Sequence, residues 1–270
     1  GGGEDLEHRL LRITHDRSFR DDPTRLFRAV RYQTRLGLKM APKTEAAARR
    51  DAEYLRNISG DRIRHELDRI FDEPQPERSL GHADDLMFFL ALLSTLEWPP
   101  ELSKAVQSLR DSGYETPPLL FLALLSLPLT QDAPEALVNR LNAPESWATV
   151  IRDTYALRVR LPSLSRENIQ PSAVYAKLDG LSPNAILAWS SLAPNQSARG
   201  LLLSFQMKWR DVKPHLTGDD LLSLGVPQGP GIGVLLRELL NARLDDVIFT
   251  REEEETFVRG RIASDEGSQP

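Results

Sequence analysis

The stretch SFRDDPTRLFRAVRYQTRLG, residues 18–37, sets the pattern for the whole chain. Two acids precede a proline, and a proline in the first turn is a typical helix start. On a helix at about 100° per residue, the apolar side chains between Leu26 and Leu36 fall on one side. Four arginines, at positions 25, 28, 31 and 35, fall within about 120° on the other side. The stretch therefore predicts an amphipathic helix with an arginine face.

Helical signals continue along the chain. The segment KTEAAARRDAEYLRN (43–57) is rich in helix formers, and SGDRIRHELDRIFDE (59–73) places Ser59 as an N-cap before apolar residues at helical spacing. Alternating β-type runs are nearly absent. Further helices are predicted at 76–95, 100–112, 118–126, 133–142, 145–160, 171–179, 182–191, 196–209, 217–225, 229–246 and 250–263. We therefore predict an all-α fold, an elongated arrangement of roughly ten or more short helices.

Composition places the chain among globular proteins. Of its 270 residues, 40% are hydrophobic and 27% are charged. The absence of cysteine excludes disulfides and thiolate metal sites and favours a cytoplasmic location. The most apolar stretch, PPLLFLALLSLPL (117–129), is too short to cross a bilayer, and we expect it to form a buried helix.

Charge is distributed unevenly along the chain. The net charge is −5, from 34 Lys and Arg against 39 Asp and Glu. Residues 1–70 alone contain 16 of these bases and 12 of these acids, so this part is basic and the remainder is acidic. Such a distribution predicts a polyanion-binding face in the first part and a solvated scaffold in the rest.

The arginine face has two interpretations. Charged helix faces are often simply solvated. Guanidinium groups, however, suit planar bidentate partners such as phosphates and base edges. Asp22 and Arg25 lie three residues apart and can hold one another in place, and such a pair can read the Watson–Crick edge of a base. Asp22 could also cap the helix, and the two roles are compatible.

The first 38 residues, GGGEDLEHRLLRITHDRSFRDDPTRLFRAVRYQTRLGL, resemble the segment that joins head and neck in class II tRNA nucleotidyltransferases. These are the bacterial CCA-adding and A-adding enzymes and their poly(A) polymerase relatives. The family motif Glu-Asp-Pro-x-Arg-x-x-Arg-x-x-Arg-Phe stands here as Asp21, Asp22, Pro23, Arg25, Arg28, Arg31 and Tyr32. It departs from the family at Asp21 and Tyr32. SGDRIRHELDRIF (59–71) resembles the next neck motif, with Arg62 and Glu66 one turn apart.

This resemblance implies roles for the residues of the neck. Asp22 and Arg25 would select the base of an incoming CTP or ATP. Arg28 and Arg31, with Asp21, would complete the nucleotide site or contact the triphosphate or the RNA backbone. The RNA contacts predicted for this part of the chain are Arg35, Arg62 and Arg64.

Residues 209–258 resemble the family's tail, which would grip the acceptor and T-stem of tRNA. Gly229, Gly231 and Gly233 allow close backbone approach at a helix start, where free amide groups bind phosphate. A tight structural turn is the alternative interpretation. Lys208 and Arg210 would add positive charge, with Lys213 nearby, so the RNA-binding residues predicted in the tail are Lys208, Arg210, Gly229, Gly231 and Gly233.

The chemistry of the family requires metal ions that carboxylates hold in the head, from a Gly-Ser…Asp-x-Asp motif. This chain contains no Asp-x-Asp sequence. We therefore predict no catalytic residue and no metal ligand here, and we expect Mg²⁺ for the parent enzyme alone. The run EEEE (252–255) lies at a helix start and is expected to form a solvated face.

Four segments follow from the resemblance. They are a remnant of the head and linker (1–20), a neck (21–72), a helical body (73–205), and a tail (206–270) that ends in the disordered sequence ASDEGSQP. The function predicted is that of an RNA-binding, nucleotide-selecting C-terminal region that is inactive alone. Its partners would be tRNA, ATP or CTP and the head of the same protein, with no membrane.

Three questions stay open at this point. The parent could add CCA, the terminal A, or a poly(A) tract. It could also be one of the longer bacterial versions, in which further domains precede the head. Alternatively, the chain could be a headless helical RNA-binding or interaction module in its own right.

Overall fold

A computed structural model describes residues 2–164 and 169–266 of the chain. These residues are predominantly helical, so the predicted all-α fold class is confirmed. One short parallel pairing joins β1 (Leu10–Leu11) to β2 (Lys39–Met40). The pairing fastens the segment before the arginine helix to the segment that follows it.

The helices in the described part of the chain are mostly short. They are α1 (Gly2–Glu7), α2 (Ser18–Asp21), α3 (Thr24–Leu36), α4 (Pro42–Asp51), α5 (Gly60–Phe71), α6 (Pro76–Asp85), α7 (Phe88–Leu92), α8 (Pro100–Asp111), α9 (Pro118–Ser126), α10 (Ala133–Arg140), α11 (Glu145–Leu164), α12 (Pro171–Leu178), α13 (Pro183–Ser191), α14 (Gln196–Ser204), α15 (Gly218–Ser223), α16 (Pro230–Leu244) and α17 (Arg251–Glu266). A 3₁₀ turn (Ala52–Asn57) follows α4, and a π-helical turn (Phe205–Trp209) follows α14. Many of these helices begin at a proline, because its fixed φ suits the first turn and its missing N–H is not needed there.

The chain divides into two compact units. The first unit consists of residues 1–159 and 181–194, and the second consists of residues 160–180 and 195–270. These units do not follow the boundaries at 72 and 205 that the sequence predicts. The division into neck, body and tail therefore stays a prediction.

The apolar stretch 117–129 forms the centre of the first unit. Its helix α9 is buried along Leu120–Leu125, as predicted. Phe121 stacks on Phe71 with ring centroids 6.2 Å apart, and Phe71 also lies 5.6 Å from the ring of Trp147. Helix α5 is thereby packed against this central helix through large apolar side chains.

Helix α3 buries the apolar side that its periodicity predicts. Leu26, Phe27 and Val30 are fully buried, and the ring of Phe27 meets that of Phe88 edge-on at 5.5 Å. Leu36 was expected on the same side but is 56% exposed. It is the last residue of α3, so it lies beyond the buried part of the helix.

The start of α5 lies against the end of α10. A Cβ placed on Gly60 would lie 2.4 Å from the carbonyl oxygen of Arg140 and 2.6 Å from the carbonyl carbon of Leu141. Glycine is therefore required by close backbone approach. Ser59 occupies the N-cap position as predicted, but its side chain makes no capping hydrogen bond.

One long predicted helix is interrupted. The segment 76–95 forms α6 and α7 rather than one helix, because Met87 adopts a left-handed conformation with φ of 65°. The prediction of one continuous helix there is wrong. Helix periodicity continues across the break, so nothing in the local pattern marks it.

The acidic run 252–255 of the second unit is not uniformly solvated. Thr250 and Glu253 form the expected reciprocal cap at the start of α17. Glu254, however, is fully buried and accepts hydrogen bonds from the backbone amides of His215 and Leu216. The expectation of a solvated face is therefore wrong at Glu254, because its carboxylate satisfies donors of another segment.

In the parts of the chain that the structure describes, no helix is both long and apolar enough to cross a membrane. The predicted disordered sequence at 263–270 lies partly outside the described residues, which end at 266.

Candidate functional site

Asp22 lies at the junction of α2 and α3. Its Oδ1 accepts hydrogen bonds from the backbone amide of Thr24 at 3.2 Å and from the Thr24 hydroxyl at 2.7 Å. The carboxylate therefore satisfies the amide of Thr24, the first residue of α3, while Pro23 occupies the N-cap position without a side-chain capping bond. The same oxygen also accepts from Nη2 of Arg62 on α5, at 2.8 Å.

These contacts keep Asp22 ionised. Burial alone would raise its pKa, but hydrogen bonds from Thr24 and the guanidinium of Arg62 outweigh this effect and hold the pKa below its usual range. The side chain remains 26% exposed. Asp22 is therefore a fixed, charged hydrogen-bond acceptor that solvent or a ligand can reach.

Arg25 is held from two sides. Its Nε lies 3.9 Å from Oδ2 of Asp22, so the predicted pairing of these residues is present as an ion pair. Its Nη1 also donates to the hydroxyl and carbonyl oxygens of Ser18, at 3.0 and 3.3 Å. Helix α2 thus supports the guanidinium of a residue on α3, a contact that no sequence pattern indicates.

Asp22, Arg25 and Arg62 form a compact group that we call the acid–arginine group. The two arginine side chains are 43% and 51% exposed. One ionised acceptor between two forked donors can bind a planar edge that offers both a donor and an acceptor. The resemblance to the family predicted an RNA contact for Arg62, whereas the structure places this side chain against the carboxylate of Asp22.

Asp21 does not join this group. Its carboxylate lies 3.7 Å from Nε of Arg17 and 3.9 Å from Nδ1 of His15. Both neighbours lie in the segment just before α2, in which Arg17 is the N-cap. The two adjacent acids of the motif therefore contact different sets of residues.

The arginine face of α3 is divided into different environments. Arg31 is almost buried, and its Nη1 donates to Oε1 of Glu73 at 3.1 Å. Its guanidinium also lies 4.8 Å from the ring centre of Tyr32. Arg31 follows the buried Phe27 by four residues, so it lies on the border of the packed side. The prediction of one open arginine face is wrong at Arg31.

The two neighbouring arginines remain closer to solvent. Arg35 is 58% exposed, and its Nη1 lies 3.6 Å from the same oxygen of Glu73. Arg28 hydrogen-bonds Tyr32, and this contact is the main reason that the pKa of Tyr32 is lowered. Glu73 is the shared partner of Arg31 and Arg35. It is separated from Arg31 by 42 residues, so no local pattern could have identified it.

Arg64 has a structural position. Its Nη1 donates to the carbonyl oxygens of Leu141 and Asn142, the first at 3.2 Å, and its Nη2 lies 2.9 Å from Asp61. The side chain is 23% exposed. Arg62 and Arg64 are two residues apart and so point in different directions from the helix. Arg64 fastens α5 to the segment after α10.

The predicted RNA-binding cations of the second unit lie at the π-helical turn. Lys208 is exposed within this turn. Arg210 follows it, donates to Oε1 of Gln206 at 3.0 Å and lies 6.0 Å from the ring centre of Phe205. The contact with Phe205 orients Arg210, while Lys208 extends from the surface.

The glycine-rich segment precedes and opens α16. Gly229 has φ of 159° and ψ of −170°, a backbone conformation that is essentially restricted to glycine. A Cβ added at Gly231 or Gly233 would meet no described atom within 4 Å. Internal packing therefore requires glycine at neither of these two positions. Phosphate contact at this helix start stays a prediction.

No cluster of three or more His, Cys, Asp or Glu in residues 2–164 and 169–266 is arranged to hold a metal ion.

Comparisons with known proteins find similar sequences and a similar fold. Residues 37–113 match the sequence profile of the family described as "Probable RNA and SrmB- binding site of polymerase A". The A-adding tRNA nucleotidyltransferase of Geobacter sulfurreducens is 29% identical over 94% of this chain and 31% of its own length. The CC-adding tRNA nucleotidyltransferase of Deinococcus radiodurans is 29% identical over 98% of this chain and 59% of its own length. The chain thus spans about a third to three fifths of these two relatives.

Solved structures show the same fold. The Thermotoga maritima CCA-adding enzyme complexed with tRNA superimposes with a TM-score of 0.79 at 23% identity, covering 97% of this chain and 66% of that one. A CCA-adding enzyme complexed with ATP gives a TM-score of 0.80 at 23% identity, covering all of this chain and 66% of that one.

Three findings support the same similarity. They are the motif around the acid–arginine group, the matched RNA-binding profile and the relatives. The chain is similar to the C-terminal portion of CCA-adding and A-adding tRNA nucleotidyltransferases.

Proposed function

We propose that the chain is the RNA-binding and nucleotide-selecting region of a tRNA nucleotidyltransferase that adds CCA or a terminal A to tRNA 3′ ends from CTP and ATP. The observation that supports this most strongly is the acid–arginine group. It combines an ionised carboxylate with two partly exposed guanidiniums at the position of the family's neck motif.

In this proposal, Asp22 and Arg25 hydrogen-bond the base of the incoming nucleotide. Thr24 and Arg62 keep Asp22 ionised and in place. Ser18 orients Arg25 through its hydroxyl and carbonyl oxygens. Because Asp22 can only accept and Arg25 can only donate, the pair favours a base edge that presents both kinds of group.

The remaining cations contact RNA at two places. In the first unit, Arg28 and Arg35 lie nearer to solvent than Arg31, whose contact with Glu73 gives it an orienting role. In the second unit, Lys208, Arg210 and the glycine-rich start of α16 contact phosphates of the acceptor and T-stem. Recognition there depends on backbone and shape, because the bases of an A-form duplex are poorly accessible in its major groove.

Catalysis is assigned to a separate head of the same protein, acting in the cytoplasm. The chain by itself would bind RNA without extending it. Incubating the pure chain with tRNA that lacks its CCA end, labelled CTP or ATP, and Mg²⁺ tests this directly. Incorporation of label would contradict the assignment.

The binding role is tested by titrating the chain into labelled tRNA without its CCA end and into an unstructured RNA of equal length. Both titrations are carried out at two salt concentrations. Phosphate contacts predict binding that weakens as salt rises, and the proposed role predicts preference for tRNA. Absence of binding to either RNA at low salt would contradict RNA binding by this region alone.

A second candidate is the corresponding region of a poly(A) polymerase. The description of the profile that matches residues 37–113 names polymerase A, which favours this alternative. Equal affinity for tRNA and unstructured RNA would support it. The same outcome would also fit a headless RNA-binding module, and a reading frame for an Asp-x-Asp head upstream of this chain would distinguish the two.

A further inference from the structure

Asp51 is a fully buried carboxylate at the end of α4. Its Oδ1 accepts from Nε of Arg20 at 2.9 Å and from Nε of Arg50 at 2.8 Å, and its Oδ2 accepts from Nη2 of Arg50 at 2.7 Å. The hydrogen bonds from Arg50, joined by that from Arg20, hold the pKa of Asp51 below its usual range against the effect of burial. Nothing in the sequence motif suggested a role for this residue.

These contacts connect α4 with the segment that contains α2. Arg20 belongs to α2, and its guanidinium lies 5.7 Å from the ring centre of Tyr54. Arg50 also donates to the carbonyl oxygen of Asp16, at 3.1 Å. Two guanidiniums that share one buried carboxylate therefore fix both ends of residues 16–20 against α4.

Helix α2 needs such support. It contains four residues, and a single helical turn is unstable by itself because nucleation costs more than one turn returns. Its buried Phe19 provides one anchor, and the contact of Arg20 with Asp51 provides the other.

The position of α2 determines the geometry of the acid–arginine group. Ser18, the first residue of α2, accepts both hydrogen bonds from Arg25. Asp22 follows the last residue of α2 and is joined to Ser18 through its backbone amide at 3.4 Å. A shift of α2 would therefore move the support of Arg25 relative to Asp22.

We propose that Asp51 is a positioning residue for the nucleotide-selecting pair, acting through Arg20 and α2 without touching the substrate. This inference rests on the proposed function for its biological meaning. Its structural content, the coupling of Asp51 to the side chain of Arg25, can be tested separately.

The test replaces Asp51 by asparagine in the full chain. NMR follows the Nε–H signal of Arg25 and the hydrogen exchange of the amides of residues 18–22. Loss of the charge-assisted contact should speed this exchange by at least about tenfold and move the Arg25 signal towards that of a solvated arginine. Val106→Ala removes buried volume in α8 and is the matched control. It should leave the Arg25 signal unchanged in the folded protein.

Arg20→Gln gives an independent variant if Asp51→Asn does not fold. It breaks the same contact at a side chain that is 40% exposed, while Arg50 still neutralises Asp51. It should shift the same Arg25 signal. An unchanged Arg25 signal and unchanged exchange in a folded variant of either kind would overturn the proposal.

The functional consequence is measured in the enzyme reconstituted with a catalytic head. Asp51→Asn should alter the ratio of CTP to ATP incorporation in the same direction as Arg25→Ala. A result in which Arg25→Ala leaves this ratio unchanged while Asp51→Asn still moves the Arg25 signal would contradict the proposed nucleotide-selecting function. That result would still support the structural coupling of Asp51 to Arg25.

Discussion

Replacing Gly60 by alanine should destabilise the first unit, because backbone atoms occupy the space that the new methyl group needs. The added Cβ would lie 2.4 Å from the carbonyl oxygen of Arg140, 2.6 Å from the carbonyl carbon of Leu141 and 2.8 Å from the amide of Asn142. Optimal contacts between carbon atoms lie at about 3.5–4.0 Å. One of the two segments must therefore move by about 1 Å.

Two opposing effects set the size of the change. Overpacking of this kind costs about 1–3 kcal/mol in the free energy of unfolding. Alanine also restricts the unfolded chain more than glycine does. This effect adds at most about 0.5–1 kcal/mol to the free energy of unfolding for a residue in a helix. A net loss of about 1–2 kcal/mol lowers the Tm by about 2–8 °C for a unit of this size.

Gly81→Ala is the matched control. Gly81 lies within α6, and the nearest atom to its added Cβ is Cδ1 of Trp98 at 4.0 Å. This variant should gain about 0.5–1 kcal/mol, because the helix propensity improves without a clash. Thermal and urea unfolding, followed by circular dichroism, compare the two variants with the original chain. A Gly60→Ala variant as stable as the original would refute the close approach of α5 to residues 140–142.

Three further outcomes are expected. Glu254→Gln should destabilise the second unit by about 3–5 kcal/mol in urea unfolding, because it uncouples a buried ion pair, whereas exposed Glu252→Gln should have little effect. Hydrogen bonds from the backbone amide and the hydroxyl of Thr217 lower the pKa of Asp220 to about 2, so the stabilising contribution of Asp220 is present above pH 3.8 and is lost as the pH falls towards 2. Thr217→Val keeps the amide and removes the hydroxyl, so in NMR titrations it should raise this pKa, and an unchanged value would exclude a contribution from the hydroxyl. Met87→Gly should raise the midpoint of thermal unfolding, because glycine removes a left-handed strain of about 1–2 kcal/mol, and a lower midpoint would show that the Met87 side chain contributes more than the strain costs.

The sequence predicted several elements of the fold correctly because their causes are local. Proline at first-turn positions and apolar residues at helical spacing determine where helices form. The burial of α9 followed from its composition, and the cap at Thr250 followed from its spacing to Glu253. The pairing of Asp22 with Arg25 was also predictable, because the two residues are three positions apart.

Tertiary structure decided which of the predicted site residues act together. Arg62 meets Asp22 across 40 residues of sequence, and Arg31 meets Glu73 across 42. Helical periodicity shows which residues share a face, but it does not show what packs against that face.

By itself, the sequence determined that this chain is helical, that α3 carries a row of arginines, and that its motifs resemble one enzyme family. The fold alone decided the separate environments of those arginines and the burial of Glu254 and Asp51. The physical reason is that local conformation depends on neighbouring residues, whereas burial and ion pairing depend on segments that meet only after folding. The carboxylate of Asp51 therefore looks like any helix-end acid in the sequence, yet in the structure it anchors the helix beside the acid–arginine group.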